Sequence, residues 1–95
     1  MKVTLEQLRE TSRALSDHVE RLGVNEIDLE VDYYWHIPRF QVYDVKLEKL
    51  QPDLGQLSED WQKLESIRRG EEPPIAIALE WLGAVYRAVG ERVVG

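Results

Sequence analysis

The amino-acid sequence predicts a small α+β domain, in which three helices pack with one antiparallel β-hairpin. Three observations support this fold class: an apolar stripe near the N-terminus, a two-residue alternation after it, and a nearly all-apolar stretch near the C-terminus. We expect helices at about 4–22, 58–69 and 74–90 and strands at about 26–35 and 40–45, in the order α-β-β-α-α. A length of 95 residues predicts one domain over the whole chain.

The first helix is predicted from apolar residues at spacings of three and four. The stripe comprises Leu5, Leu8, Leu15, Val19 and Leu22, with Ser12 as its polar member. Thr4 and Gln7 have the spacing of a capping box, and Gly23 is the residue type that ends helices in a left-handed conformation. We therefore expect an amphipathic helix that buries one face.

A period of two follows this helix. Acidic and apolar residues alternate over 26–33, which is typical of a strand with one solvated and one buried face. The acidic members are Glu26, Asp28, Glu30 and Asp32. Pro38 interrupts the alternation, and the β-forming segment 40–45 then predicts a second strand.

Four rings in succession, from Tyr33 to His36, cannot all face the core from one strand. If Tyr33 and Trp35 face inward, Tyr34 and His36 face outward with the carboxylates. Exposed aromatic residues are frequent anchors of protein interfaces. The alternative is that Tyr34 packs over the hairpin and its hydroxyl finds a local partner.

The C-terminal half predicts two helices separated by a break. Ser58 has the character of an N-cap, and Gly70 is a good helix stop. The buried stripe between them is expected to be Trp61, Leu64 and Ile67, with Leu57 just before the helix. Residues 75–89 are apolar nearly all round, so this last helix should be central, sandwiched by the two amphipathic helices.

Charge and composition exclude several classes of partner. The net charge is −6, and no cluster of basic residues provides the surface that nucleic acid or anionic membrane requires. The longest apolar run, 75–79, is too short to span a bilayer. Because there is no cysteine and the N-terminus has no signal-like apolar region, we expect a cytoplasmic protein.

The residue pattern does not predict catalysis. His18 and His36 each stand alone, and the serines lack the context of a nucleophile elbow. A straight row of carboxylates diverges, whereas a Ca²⁺ site needs oxygens that converge. We therefore expect a non-enzymatic protein with no metal and no cofactor.

Three functional hypotheses remain, and the third of them is a small enzyme or ligand carrier with an aromatic pocket. The preferred one is an acidic protein-binding module of the immunity-protein or antitoxin type, which docks a basic partner through electrostatic complementarity. Its binding residues would be Asp28, Glu30, Asp32, Tyr34 and His36. The alternative for the acidic row is a solvated sheet face that discourages edge aggregation.

The other two hypotheses concern self-association and ligand binding. A homodimer could form through the apolar helix 74–90, with a seam at Trp81 and Gly83, although the polar residues of that helix also fit a solvent-facing stripe. A ligand or substrate pocket would be walled by Tyr34, Trp35, His36 and Trp61.

Three sequence phrases carry a resemblance to a known group of proteins. They are Asp32-Tyr33-Tyr34-Trp35, then Gly55-Gln56-Leu57-Ser58-Glu59-Asp60-Trp61, then Ala78-Leu79-Glu80-Trp81-Leu82 running on to Arg87-Ala88-Val89-Gly90. In this order they resemble a family of short bacterial proteins that is known as a domain of unknown function. The resemblance covers about residues 5–92 and implies a bacterial origin and no particular chemistry.

Overall fold

The computed structural model of the chain describes residues 1–30, 32–36 and 53–95, with the backbone alone for Trp35, His36 and Asp53. The helices are α1 (Leu5–Arg21), α2 (Leu57–Arg68) and α3 (Ala78–Arg92), and the strands are β1 (Tyr33–His36) and β2 (Asp53–Gln56). The two strands pair antiparallel. The predicted fold class, α+β in the order α-β-β-α-α, is therefore confirmed.

Helix α1 is fixed at both ends by local hydrogen bonds. The backbone N of Thr4 donates to Gln7 Oε1 at 2.9 Å, and the backbone N of Gln7 donates to Thr4 Oγ1 at 3.0 Å, which completes the predicted capping box. Gly23 adopts φ +85°, and Val24 N reaches back to Val19 O at 3.4 Å. This Schellman-type end confirms the role predicted for Gly23.

The predicted strand boundaries are wrong in part. Residues 26–30 are not in a strand, and β1 covers only Tyr33–His36. Its partner is β2, in a segment where the sequence pattern does not predict a strand, with Tyr34 opposite Gly55. The predicted second strand at 40–45 lies outside the described residues. Alternation of residue types indicates a strand only where a neighbouring strand supplies the hydrogen bonds, and pairing partners are not visible in a local pattern.

The packed part of the chain is the α2–α3 pair with β2 against α2. Three apolar residues of the described chain are buried there, Leu57, Ala78 and Val85. The expected α2 stripe is only partly covered: Leu64 and Ile67 are half-buried, whereas Trp61 remains 47% exposed. The core is therefore small.

The expected sandwich of three helices does not form. No residue of α1 is buried, so α1 does not cover the other face of α3. Amphipathicity shows that a helix has an apolar face, but it does not say which surface that face will meet.

Helix α3 is displaced towards the C-terminus relative to the predicted range 74–90. Residues 75–77 form a tighter turn, in which Ala78 N donates to Ile75 O at 3.1 Å, three residues back. At the other end the helix continues through Gly90 to Arg92. A single glycine costs a helix only about 1 kcal/mol, which is too little to end it without a left-handed turn.

Gly55 is expected to be required for the sheet to pack on α2. A Cβ at Gly55 would lie 2.6 Å from Cε1 and 2.7 Å from Cε2 of the Tyr34 ring, closer than carbon atoms can approach. Gly55→Ala should therefore lower the free energy of unfolding by about 1–3 kcal/mol, measured by urea denaturation. The matched control is Gly83→Ala, where nothing lies within 4 Å and a small stabilisation is expected. Equal effects of the two substitutions would contradict the close packing of the Tyr34 ring against Gly55.

Candidate functional site

The carboxylate of Asp32 caps helix α2 from a distant part of the chain. Its Oδ1 accepts from Ser58 N at 2.8 Å, and its Oδ2 accepts from Gln56 Nε2 at 2.8 Å and from Ser58 Oγ at 3.2 Å. The N-cap residue itself, Gln56, makes no side-chain cap bond. The predicted cap by Ser58 is therefore wrong: Ser58 lies inside the helix and donates to Asp32.

These hydrogen bonds hold the pKa of Asp32 below its usual value, with the Gln56 amide as the largest cause and the Ser58 backbone next. A carboxylate is the better acceptor, and a helix N-terminus also favours a negative charge. Asp32 thus connects the segment that leads into β1 with α2, within the same chain.

Tyr34 serves a second internal connection. Its hydroxyl donates to Asp60 Oδ2 in the first turns of α2, and Asp60 is only 7% exposed. Burial raises the pKa of Tyr34, and the Asp60 hydrogen bond and the charges of Asp60 and Glu80 act in the same direction. Of the two alternatives left open for Tyr34, the structure has the one in which its hydroxyl finds a partner within the chain, and Tyr33 is the exposed member. The missing side chain of Gly55 makes room for the Tyr34 ring.

The structure therefore divides the five residues predicted to bind a partner. Asp32 and Tyr34 bond within the chain, and Glu30 Oε1 accepts from Arg92 Nη2 at 3.1 Å. Asp28 is exposed, and the side chain of His36 lies outside the described residues. Since residues 26–30 are not a strand, they do not form the flat acidic ladder that the alternation predicts.

The residues of the predicted aromatic pocket do not share one described groove. Tyr34 lines an open groove of about 830 Å³ between residues 29–34 and α3, whereas Trp61 lines another of about 540 Å³. Both grooves are partly open to solvent. The Trp35 and His36 side chains are not described.

The predicted dimer seam on α3 is only partly available. Trp81 is half-buried, and Lys63 Nζ of α2 lies 5.0 Å from the centre of its ring. This cation–π contact occupies one side of the indole within the chain. Gly83 is exposed and borders the larger groove, next to the Arg87–Glu91 ion pair of 3.5 Å.

The apolar stripe of α1, which the sequence predicts to be buried, is accessible in the structure. Leu5 is 67% exposed, Leu8 53%, Leu15 62% and Leu22 42%. Val19 and Ser12 are half-buried. The spacing of these residues identifies the stripe, but no sequence signal shows that the other described residues leave it exposed.

The described residues offer no ligand set for a metal ion, since no cluster of three His, Asp or Glu side chains occurs among them. His18 Nε2 instead lies 3.0 Å from the carbonyl oxygen of Gly95. No helix in the described part of the chain is long and apolar enough to cross a membrane.

Comparison with known proteins adds no family and no relative. No family model matches the chain, and neither a curated protein nor a solved structure is significantly similar to it.

Asp32 is expected to make the stability of the fold depend on acidic pH. Because the pKa of Asp32 is lower in the folded protein, its carboxylate stabilises the fold fully at pH values above its unfolded pKa of 3.8. This stabilisation is lost as the pH falls through the pKa of Asp32 in the folded protein. In urea denaturation between pH 7 and pH 3, Asp32→Asn should be less stable at pH 7 and should lose less on acidification than the unmodified protein. Asp28→Asn is the matched control, because Asp28 is exposed, and it should retain the full acid dependence. An unchanged profile in Asp32→Asn would contradict the capping role.

Tyr34 is expected to ionise later than an ordinary tyrosine in the folded protein. Because the pKa of Tyr34 is raised in the folded protein, its contribution to the free energy of unfolding is complete below its unfolded pKa of 10.0 and falls as the pH rises above that value. Tyr34→Phe should remove the late component of the tyrosinate absorbance titration. Because it leaves the buried Asp60 short of a donor, it should also cost about 1–3 kcal/mol at neutral pH. Tyr33→Phe, at the exposed neighbour, should retain the late component and near-normal stability.

Proposed function

We propose that this protein is a non-catalytic protein-binding module and that it binds through the apolar stripe of α1. The observation that carries the proposal is the exposure of the leucines along one face of a helix whose two ends are fully capped. An amphipathic helix whose apolar face the other described residues leave exposed is suited to bury that face against another polypeptide. Leucines at this spacing supply the burial energy, because each fully buried leucine contributes about 1.5–3 kcal/mol.

The junction around Asp32 and Tyr34 supports this assignment of roles. Its polar groups are hydrogen-bonded to one another across β1, β2 and α2, and their atoms are engaged in holding the fold. A carboxylate beside a tyrosine can serve in acid–base chemistry, but here the tyrosine pKa is raised, away from the value that a catalyst at neutral pH needs. The pair is therefore better explained as a structural connection.

Electrostatic docking of a basic partner is the second candidate function. The observation that favours it is the distribution of charge: residues 1–24 are neutral, with four basic and four acidic residues, so the whole net charge of −6 lies on residues 25–95. Exposed acidic groups such as Glu26 and Asp28 belong to that part. Binding through them would weaken steeply with added salt, whereas binding through the α1 stripe would not.

The α1 stripe is expected to be dispensable for the stability of the isolated chain. The double variant Leu8→Ser/Leu15→Ser removes two exposed leucines, so at low protein concentration it should change the free energy of unfolding by less than about 1 kcal/mol, measured by urea denaturation. Val85→Ala, a truncation in the buried core, is the comparison and should cost about 1–3 kcal/mol. A loss of several kcal/mol in the α1 variant would show that the stripe is part of the core and would refute a binding role.

A further inference from the structure

The stripe of α1 repeats every seven residues in two interleaved series. Leu5, Ser12 and Val19 form one series, and Leu8, Leu15 and Leu22 form the other. These are the two inward-facing positions of a coiled-coil seam, which distinguishes α1 from a surface helix with a broad apolar face. The occupant of the stripe should therefore be another helix.

The two series are complementary to each other under a two-fold axis. If two α1 helices cross antiparallel with the axis between residues 13 and 14, Leu5 lies opposite Leu22 and Leu8 opposite Val19. Ser12 then lies opposite Leu15. One surface patch is thus its own complement, which is the condition for an interface between identical chains.

The charges around the stripe also suit a second copy. Residues 1–24 are electrically neutral within a chain of −6, so two copies repel least where their α1 helices meet. The positions that flank the seam hold Arg9, Ser16, Thr11 and His18. In the antiparallel pair these residues can be arranged so that no two like charges lie opposite each other. Antiparallel order brings the first turn, with Glu6, near the last turn, with Arg21, of the other helix, whereas parallel order would bring like ends together.

From these observations we infer that the partner of α1 is a second copy of this chain, joined as an antiparallel pair of α1 helices. The inference rests on the proposed function, since it names the occupant of the same stripe. A 17-residue helix is about 26 Å long, so the pair buries on the order of 800 Å², less than the interfaces of stable complexes. The dimer is therefore weak and forms at micromolar or higher concentration.

Ser12 provides a test that strengthens the dimer. Ser12→Leu completes the seam, so each dimer gains two leucines at its centre and the dissociation constant should fall by about tenfold or more. Sedimentation equilibrium of the full chain measures this, with a monomer mass of 11.1 kDa. The matched control is Ala14→Leu, which adds a larger apolar side chain outside the seam and should leave the dissociation constant unchanged.

The orientation is tested with cysteines, because the chain has none of its own. Leu5→Cys and Leu22→Cys are made as separate variants and mixed in a glutathione redox buffer. Antiparallel pairing predicts that the disulfide between the two different variants exceeds either homodimeric disulfide. Predominance of the disulfide between two Leu5→Cys chains would overturn the antiparallel arrangement.

Two measurements distinguish the absence of an α1 dimer from the absence of an α1 binding surface. If the unmodified protein and Ser12→Leu both remain monomeric at several hundred micromolar, the second copy is not the partner. The α1 stripe would still stand as a binding surface provided that Leu8→Ser/Leu15→Ser retains its stability. If that double variant unfolds as readily as a core variant, the stripe is covered within the chain and both proposals fall.

Discussion

The connection made by the Asp32 carboxylate is the constraint on which the described fold depends. It accepts hydrogen bonds from Ser58 and Gln56, while the Asp32 carbonyl accepts from Leu57 N at 2.6 Å. One residue therefore closes the start of α2, supports the end of β2 and directs the chain into β1. Helix ends leave backbone donors without intrahelical partners, and here a residue from a distant part of the sequence satisfies two of them, those of Leu57 and Ser58. Acid that protonates this carboxylate should loosen all three elements together.

The Tyr34–Asp60 hydrogen bond extends the same junction and changes which surface is available for binding. The ring of Tyr34 lies over Gly55, and its hydroxyl reaches into α2. A tyrosine in an acidic, aromatic segment is typical of an interface anchor. Here, however, the hydroxyl and the ring of Tyr34 both contact residues of the same chain. Accessible apolar surface is found instead, among other places, on α1, where local caps maintain the helix and the leucines of the stripe stay 42–67% exposed.

The exposure of its apolar stripe has an energetic consequence for α1. An isolated helix of about 12–15 residues is marginal in water, and the 17 residues of α1 are only slightly longer. The capping box and the Schellman-type end each favour the helix, but the apolar stripe adds its burial energy only when a partner covers it. Binding should therefore increase the order of α1, and a weak α1 pair should show higher helix content as protein concentration rises.

The sequence by itself determined the fold class, the extent of α1 and both of its caps, because spacing and capping act over three or four residues. It also identified Tyr34 as a residue of consequence, although with two possible roles. Tertiary structure alone decided that β1 pairs with residues 53–56, that Asp32 caps α2 and that the other described residues leave the leucines of the α1 stripe exposed. Each of these depends on groups far apart in the sequence or on the whole set of packed surfaces, and no local period encodes which surfaces meet.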